Sequence, residues 1–449
     1  MRAVNAARSF AGSSLTIGSE SGAQAQCLLR YSGPLWERLT GIRVNVVEMG
    51  LPAQNERRLR AEHEAGMANL DCASVAPAWL AGLVADGALQ PLDDHVEHYM
   101  LAEDLEDYLP RYRTLGCHDG RRYGLFDDGD TLLLYYRKDL FEDDAVRAAF
   151  AARYGRPLGD PRSWSWSDLV DAARFFTVPS EARYGLAPFT QDLLWAWFQS
   201  LFTSRGGRFF DPNTMETEVG SAVGTRTMTD LLGLGAWIPP GGFAEGRPLF
   251  VVSTWLSGSA AMATFWPPLA RWAEGYGPAA IGATSPSLVA GRTGYALLPG
   301  GTSHLAVGFV LSVLARSQHK EAAYLFIQWL TSPEVSLDRV MLPYGLRDPY
   351  RRSHIESPAY RALWPGAPDY LDTLEKAAER ASLDLGLPGA VDYEAAFRVA
   401  VTEIGQGGGV EPAIQRMAAR WDEITRAEGR GLQRRAFADW SRISSGPGT

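Results

Sequence analysis

Asp127, Asp128 and Asp130 crowd one short stretch, Phe126-Asp127-Asp128-Gly129-Asp130, that opens onto the apolar run Thr131–Tyr136. Carboxylates so placed can accept hydrogen bonds from neighbouring hydroxyls. Held at a fixed separation across a glycosidic bond, a pair such as Asp128/Asp130 could instead act as acid and nucleophile; an inert, solvated turn is the third outcome. Arg347, between Gly345 and Asp348-Pro349, offers a planar fork of donors to vicinal hydroxyls or an anionic substituent, or an ion pair to Asp348. Trp266, before Pro267-Pro268, and Trp79, after Ala76-Pro77, could cover an apolar ligand face or fill the core. Ser19-Glu20-Ser21-Gly22 combines short hydroxyls with the amides of an approaching helix N-terminus, where a plain cap is equally expected. Gly300-Gly301-Thr302 is a tight turn whose missing side chains would let a ligand approach, or an ordinary loop. Trp195, Trp197, Trp255 and Tyr393 are expected in the core.

Other chemistries lack their signatures. There is no G-x-S-x-G elbow, no P-loop lysine motif and no G-x-G-x-x-G after a strand. Asp93, Asp94, His95, Glu97 and His98 hold metal-ligating atoms, but as a charged stretch with nothing to make them converge, and no metal or cofactor is expected. Cys27, Cys72 and Cys117 match no zinc spacing. Buried thiols are expected, with one disulfide left open.

The elements that must position these groups can be read from periodicity. Ser14–Gly18 is a short strand, and Leu28, Tyr31, Leu35 and Leu39 lie at helical offsets, split or kinked at Gly33-Pro34. Ile42–Met49 returns to a strand, 57–66 to a helix, Cys72–Val75 to a strand, and Pro77 opens a helix over Ala78–Ala85. This alternation predicts an α/β fold with mostly parallel sheets flanked by helices. Ser165–Asp168 resembles a capping box before the stripe Leu169, Ala173, Phe176. Further stripes at Ala323, Phe326, Ile327, Leu330 and at Ile414, Met417, Trp421, Ile424 are read as core.

With 449 residues the chain can build two domains with their own cores. The net charge of −9, with dispersed arginines and only Lys138, Lys320 and Lys376 as lysines, argues against nucleic acid and anionic membranes as partners. No stretch is apolar for the roughly 20 residues a transmembrane helix needs. Met1–Ser14 lacks the apolar core of a secretory signal.

Several segments, in order, resemble the family 1 extracellular solute-binding proteins of carbohydrate ABC importers, the maltose-binding-protein-like group. They are LTGIRVNVVEM (Leu39–Met49), APAWLAGLVADGALQPLDD (Ala76–Asp94), DGRRYGLFDDGDTLLLYYRKDLFED (Asp119–Asp143), SGSAAMATFWPP (Ser257–Pro268), YALLPGG (Tyr295–Gly301) and HKEAAYLFIQWLTSPEV (His319–Val335). The resemblance implies a two-lobed periplasmic-binding-protein fold of type II with a multi-strand hinge. It implies a first lobe of 14–126 with 300–345, a second of 127–299 with 346–440, and a ligand cleft between them. Asp128 and Asp130 match the family's D-G-D pattern at the lobe crossing, and Trp266 its cleft tryptophan. Ala76 departs from the acid more common there, which puts one polar contact in doubt.

The implied function is capture of a sugar, polyol or sugar derivative by lobe closure and its delivery to an ABC permease. The implied receptor is non-enzymatic, monomeric and periplasmic or extracellular and membrane-associated, its signal sequence presumed removed. A carbohydrate-active enzyme using Asp128/Asp130 and a sensory binding protein are the alternatives.

Overall fold

In the first sheet, apolar side chains alternate between two cores, as the two-residue period of a strand requires. Leu15, Ile17, Cys72, Leu125, Leu311 and Val313 face one core with Trp36 and Phe326; Ala73, Val75, Phe126 and Val310 face the other. The computed structural model describes residues 2–243, 248–277, 279, 282 and 285–445. The sheet runs Arg43–Glu48, Ser14–Ser19, Cys72–Val75, Phe309–Val313, Leu125–Asp128. The first three strands are parallel; Phe309–Val313 runs against both of its neighbours.

The expected kink at Gly33-Pro34 is resolved without a break. Helix Ala23–Cys27 passes through a π turn, Leu28–Ser32, into helix Gly33–Thr40. Pro34 has no N–H for the carbonyl four residues back, and the wider turn, with Gly33 N bonded to Leu28 O, absorbs that mismatch. Gly41 ends the helix at φ 77°. The helix foreseen over 57–66 begins earlier, at Pro52, and runs to Glu64. The opening residues also fold: Arg2–Ala7 is a helix whose Ala3, Val4 and Ala7 are buried against Lys320–Leu330.

The second sheet runs Thr293–Ala296, Leu133–Arg137, Ala260–Phe265, Tyr184–Leu186. Leu133–Arg137 is antiparallel to both neighbours, and Tyr184–Leu186 lies parallel to Ala260–Phe265. Its central strands are buried throughout, because helices cover both faces. Ser165 and Asp168 form the expected capping box of helix Trp166–Phe176. The stripes on Lys320–Leu330 and Val410–Glu428 are core, as are Trp195, Trp197, Trp255 and Tyr393. All three cysteines are free.

Three segments are hydrogen-bonded together at the junction between the two sheets: Gly129–Leu132, Ala306–Gly308 and the stretch around Asp348. Just before the second of these, Ser303–Leu305 pairs with Ala381–Leu383. Beside the junction the bodies touch. Helix Pro77–Ala85 packs on helix Ala390–Gly405, and Arg57 reaches Asp392 at 3.2 Å.

Candidate functional site

The junction is tied by a knot of buried charge. Asp127 and Asp128 end the strand Leu125–Asp128, fully enclosed. Asp127 accepts from Nη1 and Nη2 of Arg339 and lies 2.9 Å from Arg347 Nε. Asp128 accepts from Arg347 Nη1 at 3.0 Å and from Asp348 N at 2.8 Å. Asp130, one segment on, accepts from Gly308 N at 3.1 Å and shares a hydrogen bond with Asp348. Each of the three junction segments thus has a backbone amide or carboxylate in one network.

Burial sets the protonation of this knot. It pushes Asp128 up to about 6, against the pull of Arg347. Asp130 and Asp348 are held well above the usual carboxylate range, first by burial and then by the charge of Asp128. Oxygens of Asp128, Asp130 and Asp348 lie within 4.8 Å of one another, which is ligand spacing for a cation. A proton shared by Asp130 and Asp348, with Arg347 on Asp128, already relieves that repulsion. The stretch Asp93–His98, by contrast, is helical, and His95 stacks on Tyr324.

Above the knot, an acidic side chain of one body comes within charge range of the other. Glu20 follows the strand Ser14–Ser19 and is partly exposed, without a hydrogen-bond partner among the described residues. Burial lifts it to about 8; Arg347 pulls it down, while Asp128 and Asp192 push it up. Asp192 belongs to the other body, in helix Gln191–Ser204, whose N-cap Thr190 accepts from Leu193 N. Arg398 gathers Asp192, Glu394 and Gln191 there, and burial raises Glu394 to about 7 against Arg398. Asp384 accepts from Val307 N at 2.8 Å and Gln199 Nε2 at 2.6 Å, and contacts His304 Nε2 at 2.9 Å. Val307 is held at φ 70°, strained for a β-branched residue, between the amides clamped by Asp384 and Asp130.

The structure brings Asp128, Asp130, Arg347 and Glu20 together. The first three spend their hydrogen bonds on the protein itself, so the solvated acidic turn is not what forms. Arg347 pairs with Asp127 and Asp128 and contacts Gln24, rather than forming the alternative pair with Asp348. Ser19 is buried at the strand's end, its hydroxyl unpartnered. Trp266 is partly exposed beside the crossing, donating Nε1 to Ala306 O at 3.1 Å. Trp79 is buried edge-on to Phe309.

Gly300, Gly301 and Thr302 are not brought to the others. Their turn closes a hairpin against Trp164 and Arg380, with Gly300 N on Trp164 O at 2.7 Å. Sequence reading missed Asp192, Glu394, Arg398 and Asp384, and took Asp348 only as a partner for Arg347. The one available signal was the Thr190 cap, which marks a helix N-terminus after a strand.

Residues 20–336 match the family model described as bacterial extracellular solute-binding protein. The chain belongs to that family. Its members serve ABC importers as solute receptors and are not enzymes. A probable amino-acid ABC transporter periplasmic-binding protein of Sinorhizobium fredii is 27% identical over 82% of this chain and 79% of its own. The mannitol-binding protein of Pseudomonas aeruginosa is 26% identical over 65% of this chain and 63% of its own. A ribitol complex of an ABC transporter solute-binding protein from Agrobacterium radiobacter K84 shares the two-lobed fold. Its TM-score is 0.75 at 23% identity, over 92% of this chain and 99% of that one. No helix among the described residues of this solute-binding protein is long and apolar enough to cross a membrane.

Proposed function

We propose that this solute-binding protein captures a small polyol or sugar between its lobes and delivers it to a membrane permease. The observation that carries the reading is that Glu20 from one lobe lies close enough to Asp192 of the other for Asp192 to push it toward its protonated form. A polyol presents a row of hydroxyls, and carboxyls on two moving bodies can each take one only when the lobes are closed. Closure is then driven by differential affinity for the closed state. Arg398 holds Asp192 in place, and the partly exposed ring of Trp266 offers a flat wall. A relative named as mannitol-binding and a solved structure in complex with ribitol support the same class.

The moving bodies follow the division outlined from sequence, 14–126 with 300–345 and 127–299 with 346–440, except that Asp127 and Asp128 stay with the first sheet and Gly300–Leu305 go with the second lobe. The receptor acts outside the cytoplasm as a monomer and performs no catalysis. Asp128 and Asp130, the pair an enzyme would use, are enclosed and bonded to Arg347 and to backbone amides, which leaves neither free to flank a scissile bond.

Thermal-shift titration with mannitol, ribitol and a set of mono- and disaccharides tests the proposal. A melting temperature that climbs with the logarithm of ligand concentration supports it. No shift with any polyol or sugar, a shift with amino acids alone, or turnover of a glycan would overturn it.

A further inference from the structure

The last helix, Arg430–Ser445, is seated on the second lobe but ends on the first. Its root is packed into rings and backbone of the second lobe. Gln433 Nε2 donates to Pro388 O at 2.7 Å, and Trp440 Nε1 to Asp384 O at 2.9 Å. Phe437 lies against Phe210 with ring centroids 5.7 Å apart, and Trp440 against Phe209 at 5.9 Å.

The final turns reach over the junction. Arg111, in the first-lobe helix Pro110–Thr114, donates from Nη1 to Ile443 O at 3.0 Å and Ser444 O at 2.9 Å. Asp439 accepts from Asp119 N at 3.0 Å and lies 3.3 Å from His118 Nδ1. The last carbonyls of a helix have no partner within it and carry the negative end of its dipole. Here a largely buried guanidinium from the other lobe satisfies them. The two kinds of contact interleave along the helix. Asp439 sits between the packed rings of Phe437 and Trp440, and Ile443 adds apolar packing beyond them. The directional bonds to the first lobe, which weaken steeply with distance and angle, are therefore the contacts that lobe opening strains first.

We propose that Arg430–Ser445 is a strap that holds the lobes in the arrangement described here, in which Arg57 reaches Asp392 and Asp192 acts on Glu20, with Arg111 and Asp439 as the latch. The strap favours that arrangement over more open ones, so the ligand needs to supply less of the cost of reaching it. This rests on lobe closure but not on which solute is bound.

The test uses the full chain without ligand. Nitroxides are placed at Glu64→Cys in the first lobe and Gln406→Cys in the second, with Cys117→Ser to remove the half-buried thiol, and the interlobe distance is measured by pulsed electron resonance. Arg111→Gln combined with Asp439→Asn is expected to add or enlarge a longer-distance population, with Arg111→Lys in between. Asp439→Asn alone, a near-isosteric change, is expected to shift the distribution the same way by less, and carries the test should the double variant fail to fold. An unchanged distance distribution in a variant with a cooperative melting transition would overturn the strap.

Discussion

The knot at the junction and the rim above it are built from the same side chains, carboxylates and arginines, and differ in what surrounds them. In the knot, Asp127, Asp128, Arg339 and Arg347 are almost wholly out of water and bonded to one another. At the rim, Glu20, Asp192, Glu394 and Arg398 keep contact with solvent, and Glu20 keeps a free bonding position. The lesson is that position in the dielectric, more than residue type, separates a charge that holds the protein from one that is available to a ligand.

Removing a knot arginine should break this comparison open most visibly. Arg339→Ala leaves Asp127 buried with half its partners, and breaking a buried pair costs about 3–5 kcal/mol. The expected readout is a large fall in the urea midpoint; a loss below about 1 kcal/mol would mean the knot is wetter than its geometry indicates. At the rim, Asp192→Ala should change unfolding of the free protein little. Glu20→Ala should not lower its stability and should raise it at neutral pH, where the carboxyl, raised by burial, resists ionising. Either should weaken mannitol binding about tenfold by calorimetry, the effect of one lost hydrogen bond to the ligand.

Acidity sharpens the contrast. Glu20 is raised from 4.5 to about 8, so between those values the folded protein holds a proton that the unfolded chain has released. Its contribution to stability is therefore complete below the lower value and lost as pH rises through the upper one. Glu20→Gln should flatten the decline in melting temperature between about pH 5 and pH 8.5, relative to the parent. An identical decline in both proteins would remove Glu20 as its source. The smallest effect belongs to a pair with neither role. Arg416 and Glu403 meet at 2.6 Å on the surface, and Arg416→Ala should change unfolding free energy by no more than about 0.5 kcal/mol.

Much of the scaffold was legible residue by residue. The strand at Ser14, the fully buried Cys72–Val75, the Ser165–Asp168 box and the three apolar stripes follow from periods and caps that act over a few neighbours. The closeness of Asp128 and Asp130 to the crossing was also legible, because both sit at the start of an apolar run. The rim was not. Asp192 and Arg398 come from helices far apart in the chain, and nothing local to either marks it as facing Glu20. Gly300-Gly301-Thr302 shows the opposite failure. Its tight turn formed as read, with φ of 85° and 67° at the glycines, but a turn's shape does not reveal what lies across from it.

What the chain determined by itself is therefore the set of elements and the inventory of charge, since propensity, capping and alternation are short-range. Tertiary structure decided which charges are paid for by partners and which are left to the solvent. Asp127 meets Arg339 across 212 positions and Asp128 meets Arg347 across 219, and only that convergence removes water from around them. Hydrogen-bond partners and acidities follow from the local dielectric and from neighbours in space, and neither is a property of the sequence around a residue.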